Sequence, residues 1–195
     1  MLAMNMFSIA RPPLYPGADA MAGLANTVPG LLGDLRSDHA GETGAVAIYR
    51  GILAATRHPA IQHFAREHLA TEREHLAHMD ALLPPSQRSA LLPLWRLAGF
   101  LTGFLPGLFG PRAVYATIDA VETFVDQHYE EQVRKLPANG PGSALRALLI
   151  ACQADEVRHR DEARAAGTAA GPMAQIWQWL VGTGSALAVK AARRI

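Results

Sequence analysis

A Glu-x-x-His motif occurs twice, as Glu72-Arg73-Glu74-His75 and Glu156-Val157-Arg158-His159, each inside a Pro-free run that favours helix. On an α-helix, residues three apart share a face, so each pair presents a carboxylate and an imidazole to one point. A single such motif is ordinary on a solvated helix. Here each is preceded by one glutamate in an apolar or small-residue setting, Glu42 and Glu122, so the order reads Glu, Glu-x-x-His, Glu, Glu-x-x-His. The interval is 30 residues from Glu42 to Glu72 and 34 from Glu122 to Glu156. If both members of a half sit at one depth on antiparallel helices, the chain must reverse near residues 57 and 139. Those midpoints fall in Thr56-Arg57-His58-Pro59 and Pro137-Ala138-Asn139-Gly140-Pro141-Gly142, where Pro, Gly and Asn break helices. Arms of about 13 residues climb ~20 Å, enough to bury a site at mid-height.

In that order the residues form the ligand constellation of carboxylate-bridged dinuclear sites in ferritin-like four-helix bundles, so the fold expected is all-α. Four carboxylates and two imidazoles suit iron or manganese better than zinc or copper(I). Four negative charges converging in a core are not tolerated without neutralisation, and two divalent cations supply it. Six protein ligands leave open coordination positions, as an oxygen-activating centre requires. Each ligating imidazole is expected to donate its other N–H to an acceptor. Asp38, one turn before Glu42, and Asp155, beside Glu156, are the candidates, with a plain surface charge as the alternative for each.

The chain has 195 residues, half of them hydrophobic, enough for one domain with a substantial core and too little for two. Residues 30–195 are expected to form that domain, and residues 1–29, rich in Pro and Gly, a partly ordered lead-in. Met1–Ala10 has no basic start and no small-residue cleavage site, so no cleavable signal peptide is expected. Met1, Met4 and Met6 leave the start codon open. A net charge of +1, with no basic stretch interleaved with aromatics, gives no reason to invoke nucleic acid. The single cysteine, Cys152, excludes an intramolecular disulfide, fits a reducing compartment and is expected in the core.

The first bundle helix is expected to begin near Val28 to Leu35 and run through Arg57. Gly41 and Gly44 beside Glu42 suggest close approach of a neighbouring helix or of substrate, with plain small-residue packing as the alternative. The second spans about Pro59 to Leu83 and stops at Pro84-Pro85. Of its histidines only His75 has the context of a metal site; His63, His68 and His78 are expected in solvent. The third and fourth helices run from about Pro111 to Leu136 and from about Ser143 to Ala166. Between the second and third lies ALLPLWRLAGFLTGFLPGLFG, residues 90–110, whose only charge is Arg96. Pro93 and Pro106 are expected to interrupt it, which argues against a membrane-spanning helix. A hydrophobic membrane-facing insert, interfacial or re-entrant and anchored near Trp95, is the preferred account, and a buried crossover or dimer interface the alternative. Met173 to Val189 is uncharged, carries Trp177 and Trp179 and precedes Lys190, Arg193 and Arg194. It reads as an extra C-terminal helix, membrane-facing or packing, with a basic end suited to anionic headgroups.

The stretch Asp38-His39-Ala40-Gly41-Glu42, the Glu72 to His75 motif, the run Leu92-Pro93-Leu94-Trp95, Val121-Glu122 followed by His128-Tyr129, and Asp155-Glu156-Val157-Arg158-His159 together resemble the demethoxyubiquinone hydroxylase family of ubiquinone biosynthesis. The motifs stand in matching order over about residues 30 to 195. The resemblance implies a di-iron monooxygenase bound peripherally to the membrane, on the inner, cytoplasmic face in a bacterium. Its activity would be O2-dependent hydroxylation of the ring of a polyprenylated methoxy-benzoquinol. The ligands implied for the two iron ions are Glu42, Glu72, His75, Glu122, Glu156 and His159, with Glu72 and Glu156 in a bridging role. An external reductant, NADH or the quinol itself, is implied, and Tyr129 matches a tyrosine near the quinone and the electron path. A homo-oligomer and a lipid-binding partner protein are compatible with the resemblance. Thr43 stands where many relatives have an aromatic residue, and the last helix lacks a tyrosine of some eukaryotic members, so the reductant's docking surface does not transfer. The competing readings are another ferritin-like enzyme, a tRNA hydroxylase or a peroxidase, and a non-catalytic iron-binding bundle. The first would want a basic face, the second a rubredoxin-like cysteine set, and the third has no need of the apolar insert.

Overall fold

A computed structural model describes residues 18–167 and 171–195, with side chains from residue 23 onward. Of the expected lead-in over residues 1–29, the part before residue 18 lies outside the described residues. The described chain is helical: α1 (Ala18–Thr27), α2 (Leu31–Ala55), α3 (Pro59–Leu82), α4 (Leu92–Phe109), α5 (Pro111–Lys135), α6 (Ser143–Gly167) and α7 (Pro172–Ala192), with no strand among the described residues. Helices α2, α3, α5 and α6 form a four-helix bundle of ferritin-like type. Its reversals fall on the two midpoints, Thr56 to His58 between α2 and α3 and residues 136–142 between α5 and α6. Pro59 lies in the first turn of α3, where its missing N–H costs nothing. Gly110, at φ +97°, takes a conformation that an L side chain rarely adopts and lets α5 start at once after α4.

Two apolar plugs fill the bundle, one at each end. Leu31, Leu35, Met79, Leu82, Tyr129, Val133, Leu145 and Cys152 pack in one, and Val46, Tyr49, Ile52, Leu69, Ile118, Val121 and Ala163 in the other. Fully burying an aliphatic or aromatic side chain stabilises by about 1.5–3 kcal/mol. Glu42 falls between Leu35 and Val46, and Glu72 and His75 between Leu69 and Met79. Glu122 lies between Val121 and Tyr129, and Glu156 and His159 between Cys152 and Ala163. All six expected ligands therefore occupy the layer between two dry plugs.

The apolar segment is one continuous helix, α4, contrary to the expected interruption: Pro93 sits in its first turn and Pro106 within its last. By length and composition α4 could cross a bilayer, but one of its faces is committed to α2. Gly99, Gly103, Pro106 and Gly107 are buried on that face. A Cβ on Gly103 would lie 1.9 Å from the Ile48 carbonyl oxygen, and one on Gly51 of α2 would lie 2.2 Å from that of Phe100. Of the two glycines flanking Glu42, Gly44 meets α4, its carbonyl oxygen 2.4 Å from a Cβ built on Gly99, whereas a Cβ on Gly41 meets nothing among the described residues within 4 Å. The opposite face of α4 presents Leu94, Leu97, Leu101, Leu105 and Leu108 to the outside.

Helix α7 lies across α5 and α2 and exposes Met173, Ile176, Trp179, Leu180 and Leu187. Near its start, Trp177 Nε1 donates to Thr117 Oγ1 of α5 at 2.8 Å. At its end Arg193 pairs with the buried Asp34 of α2 at 2.8 Å, and Lys135 of α5 meets the same carboxylate at 2.8 Å. Arg193 is thus taken up by the protein; of the expected basic end, Lys190 and Arg194 remain exposed.

Candidate metal centre

The six side chains converge. Glu42 comes from α2, Glu72 and His75 from α3, Glu122 from α5, and Glu156 and His159 from α6, and none is more than 4% exposed. Ligand atoms of Glu42, Glu72, His75 and Glu156 lie within 4.8 Å of one another, and so do those of Glu72, Glu122, Glu156 and His159. Glu72 and Glu156 belong to both groups, which is the placement that a bridging carboxylate needs. Both histidines turn Nδ1 inward: His75 Nδ1 is 3.0 Å from Glu156 Oε1, and His159 Nδ1 is 3.1 Å from Glu72 Oε1.

Two tyrosines brace the lone glutamates across the bundle. Tyr129 donates to Glu42 Oε1 at 2.5 Å, and Tyr49 donates to Glu122 Oε1 at 3.1 Å. Each tyrosine lies seven residues, two helical turns, after the glutamate of its own helix and reaches the glutamate of the other. Only antiparallel α2 and α5 permit both bonds at once. Tyr129 was expected near the centre on the resemblance alone. Tyr49 was missed, although the repeated Glu-x6-Tyr interval was there to be read.

Of the two aspartates considered for outer hydrogen bonds, Asp155 Oδ2 lies 3.3 Å from His75 Nε2. Asp38 is buried but serves other groups: its Oδ1 is 3.1 Å from His128 Nε2 and accepts from Gln132 Nε2 at 2.6 Å. Ser37 Oγ gives its proton to the Asp34 carbonyl at 2.7 Å, so His128 Nε2, 3.1 Å away, carries the hydrogen shared between Ser37 and Asp38. His68, expected in solvent, is 1% exposed. Its ring centroid lies 4.0 Å from that of His159, its Nε2 is 2.8 Å from Glu162 and its Nδ1 is 3.3 Å from the Tyr49 hydroxyl. Its burial is made by α6, a partner that α3 alone does not reveal. His63 is exposed, as expected.

Electrostatics shows why such a cluster wants cations. Burial, reinforced by Glu156 and the neighbouring carboxylates, pushes Glu72 and Glu122 well above the ordinary carboxylate range, and burial lifts Glu42 to about 7. Burial also works against a charged Glu156, yet the facing imidazoles of His159 and His75 hold it at about 2. Burial opposes the His75 cation too, but Asp155, Glu156 and Glu42 together raise its pKa well above the usual value. Protons thus do part of the neutralising that two metal ions would do. Among the described residues, Glu42 Oε2, both Glu72 oxygens, Glu156 Oε2 and the two histidine Nδ1 atoms have no hydrogen-bond partner though fully enclosed. Buried polar atoms without partners are rare and call for an ion or other guest, and this oxygen-rich set with two imidazoles fits iron or manganese. Cys152, whose thiol burial pushes up to about 12, is an inert core residue.

A cavity of about 380 Å³ opens onto this layer. Glu42, Glu72, Glu122 and Glu156 border it with Tyr129 and His128, and its walls are otherwise mainly apolar or small: Ala45 and Ile48 of α2, Trp95 and Gly99 of α4, Phe124 and Val125 of α5, and Trp177 and Gly184 of α7. Trp95, expected as an interfacial anchor, is half-buried on this wall, with its Nε1 donating to Ser89 Oγ at 3.3 Å.

The family model described as ubiquinone biosynthesis protein COQ7 matches residues 32–192. A 3-demethoxyubiquinol 3-hydroxylase of Rhodospirillum rubrum is 34% identical over 94% of this chain and 94% of its own. A mitochondrial NADPH-dependent 3-demethoxyubiquinone 3-hydroxylase of Caenorhabditis elegans is 28% identical over 83% of this chain and 88% of its own. The protein of the same name in Dictyostelium discoideum is 35% identical over 64% of this chain and 59% of its own.

Proposed function

The chain belongs to the COQ7 family of ubiquinone biosynthesis proteins, and from that premise we propose that it hydroxylates the ring of demethoxyubiquinol, a polyprenylated methoxy-benzoquinol, using O2 and two iron ions. The observation that carries the reading is the enclosed cluster of four carboxylates and two imidazoles at the end of an apolar cavity. Glu42 and His75 would hold one ion, Glu122 and His159 the other, and Glu72 and Glu156 would bridge them. When bound, the ions supply the reduction of O2. The protein's own part is enclosure and orientation. The two plugs keep water from the layer, Tyr49 and Tyr129 fix the lone glutamates, and the cavity walls seat a flat aromatic ring beside the cluster. Electrons come from NADH or from the quinol itself.

A prenyl tail is insoluble in water, so the substrate must come from a bilayer. The leucine face of α4 and the outer face of α7, with Lys190 and Arg194 beyond it, suit peripheral attachment to an anionic membrane, the inner, cytoplasmic face in a bacterium. Both helices also wall the cavity, which gives a ring a short path from lipid to the carboxylates. The test is iron-loaded protein reduced without air, then given O2 and a short-chain methoxy-benzoquinol. The expected product is heavier by one oxygen atom, and the oxygen is labelled when the O2 is. Full iron content without that product overturns the assignment. A liposome flotation assay separates this reading from a soluble iron-binding bundle, which would not bind lipid.

A further inference from the structure

The two Glu-x-x-His motifs can be laid over each other residue by residue. The position before the glutamate is then Asp155 in α6 but Thr71 in α3, and the position four before it is Cys152 in α6 but His68 in α3. These outer differences fall unequally on the two imidazoles. His75 turns Nδ1 to the centre and has the Asp155 carboxylate 3.3 Å from its Nε2. His159 also turns Nδ1 to the centre, but its Nε2 has no hydrogen-bond partner among the described residues. The nearby His68 cannot supply one, because both of its nitrogens face other groups, Tyr49 and Glu162.

An imidazole that donates one N–H to a carboxylate is a better electron donor at its other nitrogen, and its ring is held against rotation. We infer that Asp155 makes the two ion positions unequal, so that the one formed with Glu42 and His75 binds its ion more tightly and fills first. The tyrosines work weakly the other way. Tyr129 donates to Glu42 at 2.5 Å and Tyr49 to Glu122 at 3.1 Å, so the first carboxylate gives up more of its charge. A full carboxylate charge on the imidazole outweighs the difference between two neutral hydroxyl donors. Asp155 is a positioning residue, held in place on its other side by Arg158 at 2.9 Å.

The inference rests on the metal-site reading proposed above, and the experiment keeps the two apart. Metal-free protein is titrated without air with cobalt(II), following its visible absorption and the heat of binding. The natural sequence takes up two ions in two steps. Part of that separation is repulsion between ions, so variants that keep one position isolate the effect of Asp155. Glu122→Ala retains the Glu42 and His75 position, and Glu42→Ala retains the other. Adding Asp155→Asn weakens the single ion of Glu122→Ala by about 10–100-fold and leaves that of Glu42→Ala unchanged. Asp161→Asn, which removes an exposed carboxylate from the same helix, changes neither. Circular dichroism of the metal-free variants checks folding, and Asp155→Ser carries the same test if Asp155→Asn does not fold. Equal weakening in both backgrounds, or none in either, overturns the inference and leaves the metal site standing. No cobalt uptake by the natural sequence overturns both.

Discussion

The hairpin α2–α3 and the hairpin α5–α6 agree on the side where they face each other and differ on the side where they do not. Inside, each offers a lone glutamate, a Glu-x-x-His and a tyrosine seven residues past the lone glutamate, and each tyrosine crosses to the other hairpin. Outside, α2 is covered by α4 at backbone distance through glycines, whereas α7 reaches α5 through side chains such as Trp177. The likeness suits the proposed centre, because two ions sharing two carboxylates would need near-equal halves. The difference is permitted by the surroundings, where one hairpin supports the cavity wall through α4 and the other through α7.

Substitutions at the centre test the likeness and have the largest effects. Glu72→Ala and Glu156→Ala each remove a shared carboxylate and are expected to abolish binding of both ions and all hydroxylation. Glu42→Ala and Glu122→Ala are expected to abolish hydroxylation while each keeps about one ion per chain, read by metal analysis. Two retained ions after either shared substitution would break the pairing described here. In metal-free protein the sign of the stability effect reverses. Glu72 then carries the cost of burying a carboxylate among others, so Glu72→Gln is expected to melt at a higher temperature than the natural sequence.

Metal removal comes next in size. At a free-ion concentration ~1,000 times Kd, each ion stabilises the folded state by about 4 kcal/mol, so chelation should lower Tm sharply. The pH dependence should also change direction. Glu42 binds its proton more tightly when folded, its pKa lifted from 4.5 to about 7, and Glu72 and Glu122 shift the same way. Stability from these groups is fully present below 4.5 and is lost as pH rises through the folded values. Metal-free protein should therefore weaken between about pH 4.5 and 7. Loaded protein should strengthen over that range, because metal binding needs the carboxylates deprotonated. Thermal melts at several pH values with and without chelator check both slopes. Tyr129→Phe and Tyr49→Phe sharpen the comparison further. Each removes a donor to a buried carboxylate and is expected to cost about 1.5–3 kcal/mol in loaded protein, with Tyr129→Phe the costlier because its bond is shorter.

Much of the inner half of this comparison was legible in the chain, and little of the outer half. The intervals between Glu42 and Glu72 and between Glu122 and Glu156 implied both reversals, because helical rise and burial at one depth are local constraints. Tyr49 is equally legible by spacing, since it repeats the interval from Glu122 to Tyr129. His68 was not legible: its burial depends on Glu162 and His159 of α6, and nothing within α3 announces it. Pro106 predicts a break, yet a proline in the last turn of a helix gives up a single backbone bond where the helix is about to end. Arg193 looks like a headgroup contact in the sequence, which does not show that Asp34 lies buried beside it. His68 and Arg193 share one reason: the partner of each is distant in sequence and not related to it by the internal repeat.

The smallest effects test the outer difference. Gly103→Ala places a methyl group where the Ile48 carbonyl of α2 stands, with no flexible side chain to yield. Overpacking of this kind destabilises by about 1–3 kcal/mol, and because α4 walls the cavity, hydroxylation should fall with it. Gly182→Ala on α7 meets nothing among the described residues within 4 Å. There the only change is a lower entropy of the unfolded chain and a better helix former, so stability should rise by about 0.5–1 kcal/mol. Urea unfolding of the two variants reads the signs directly. If both alanines stabilise, the backbone contact between α2 and α4 is looser than described. If both destabilise, α7 is packed as tightly as α4 and the two hairpins are covered in the same manner.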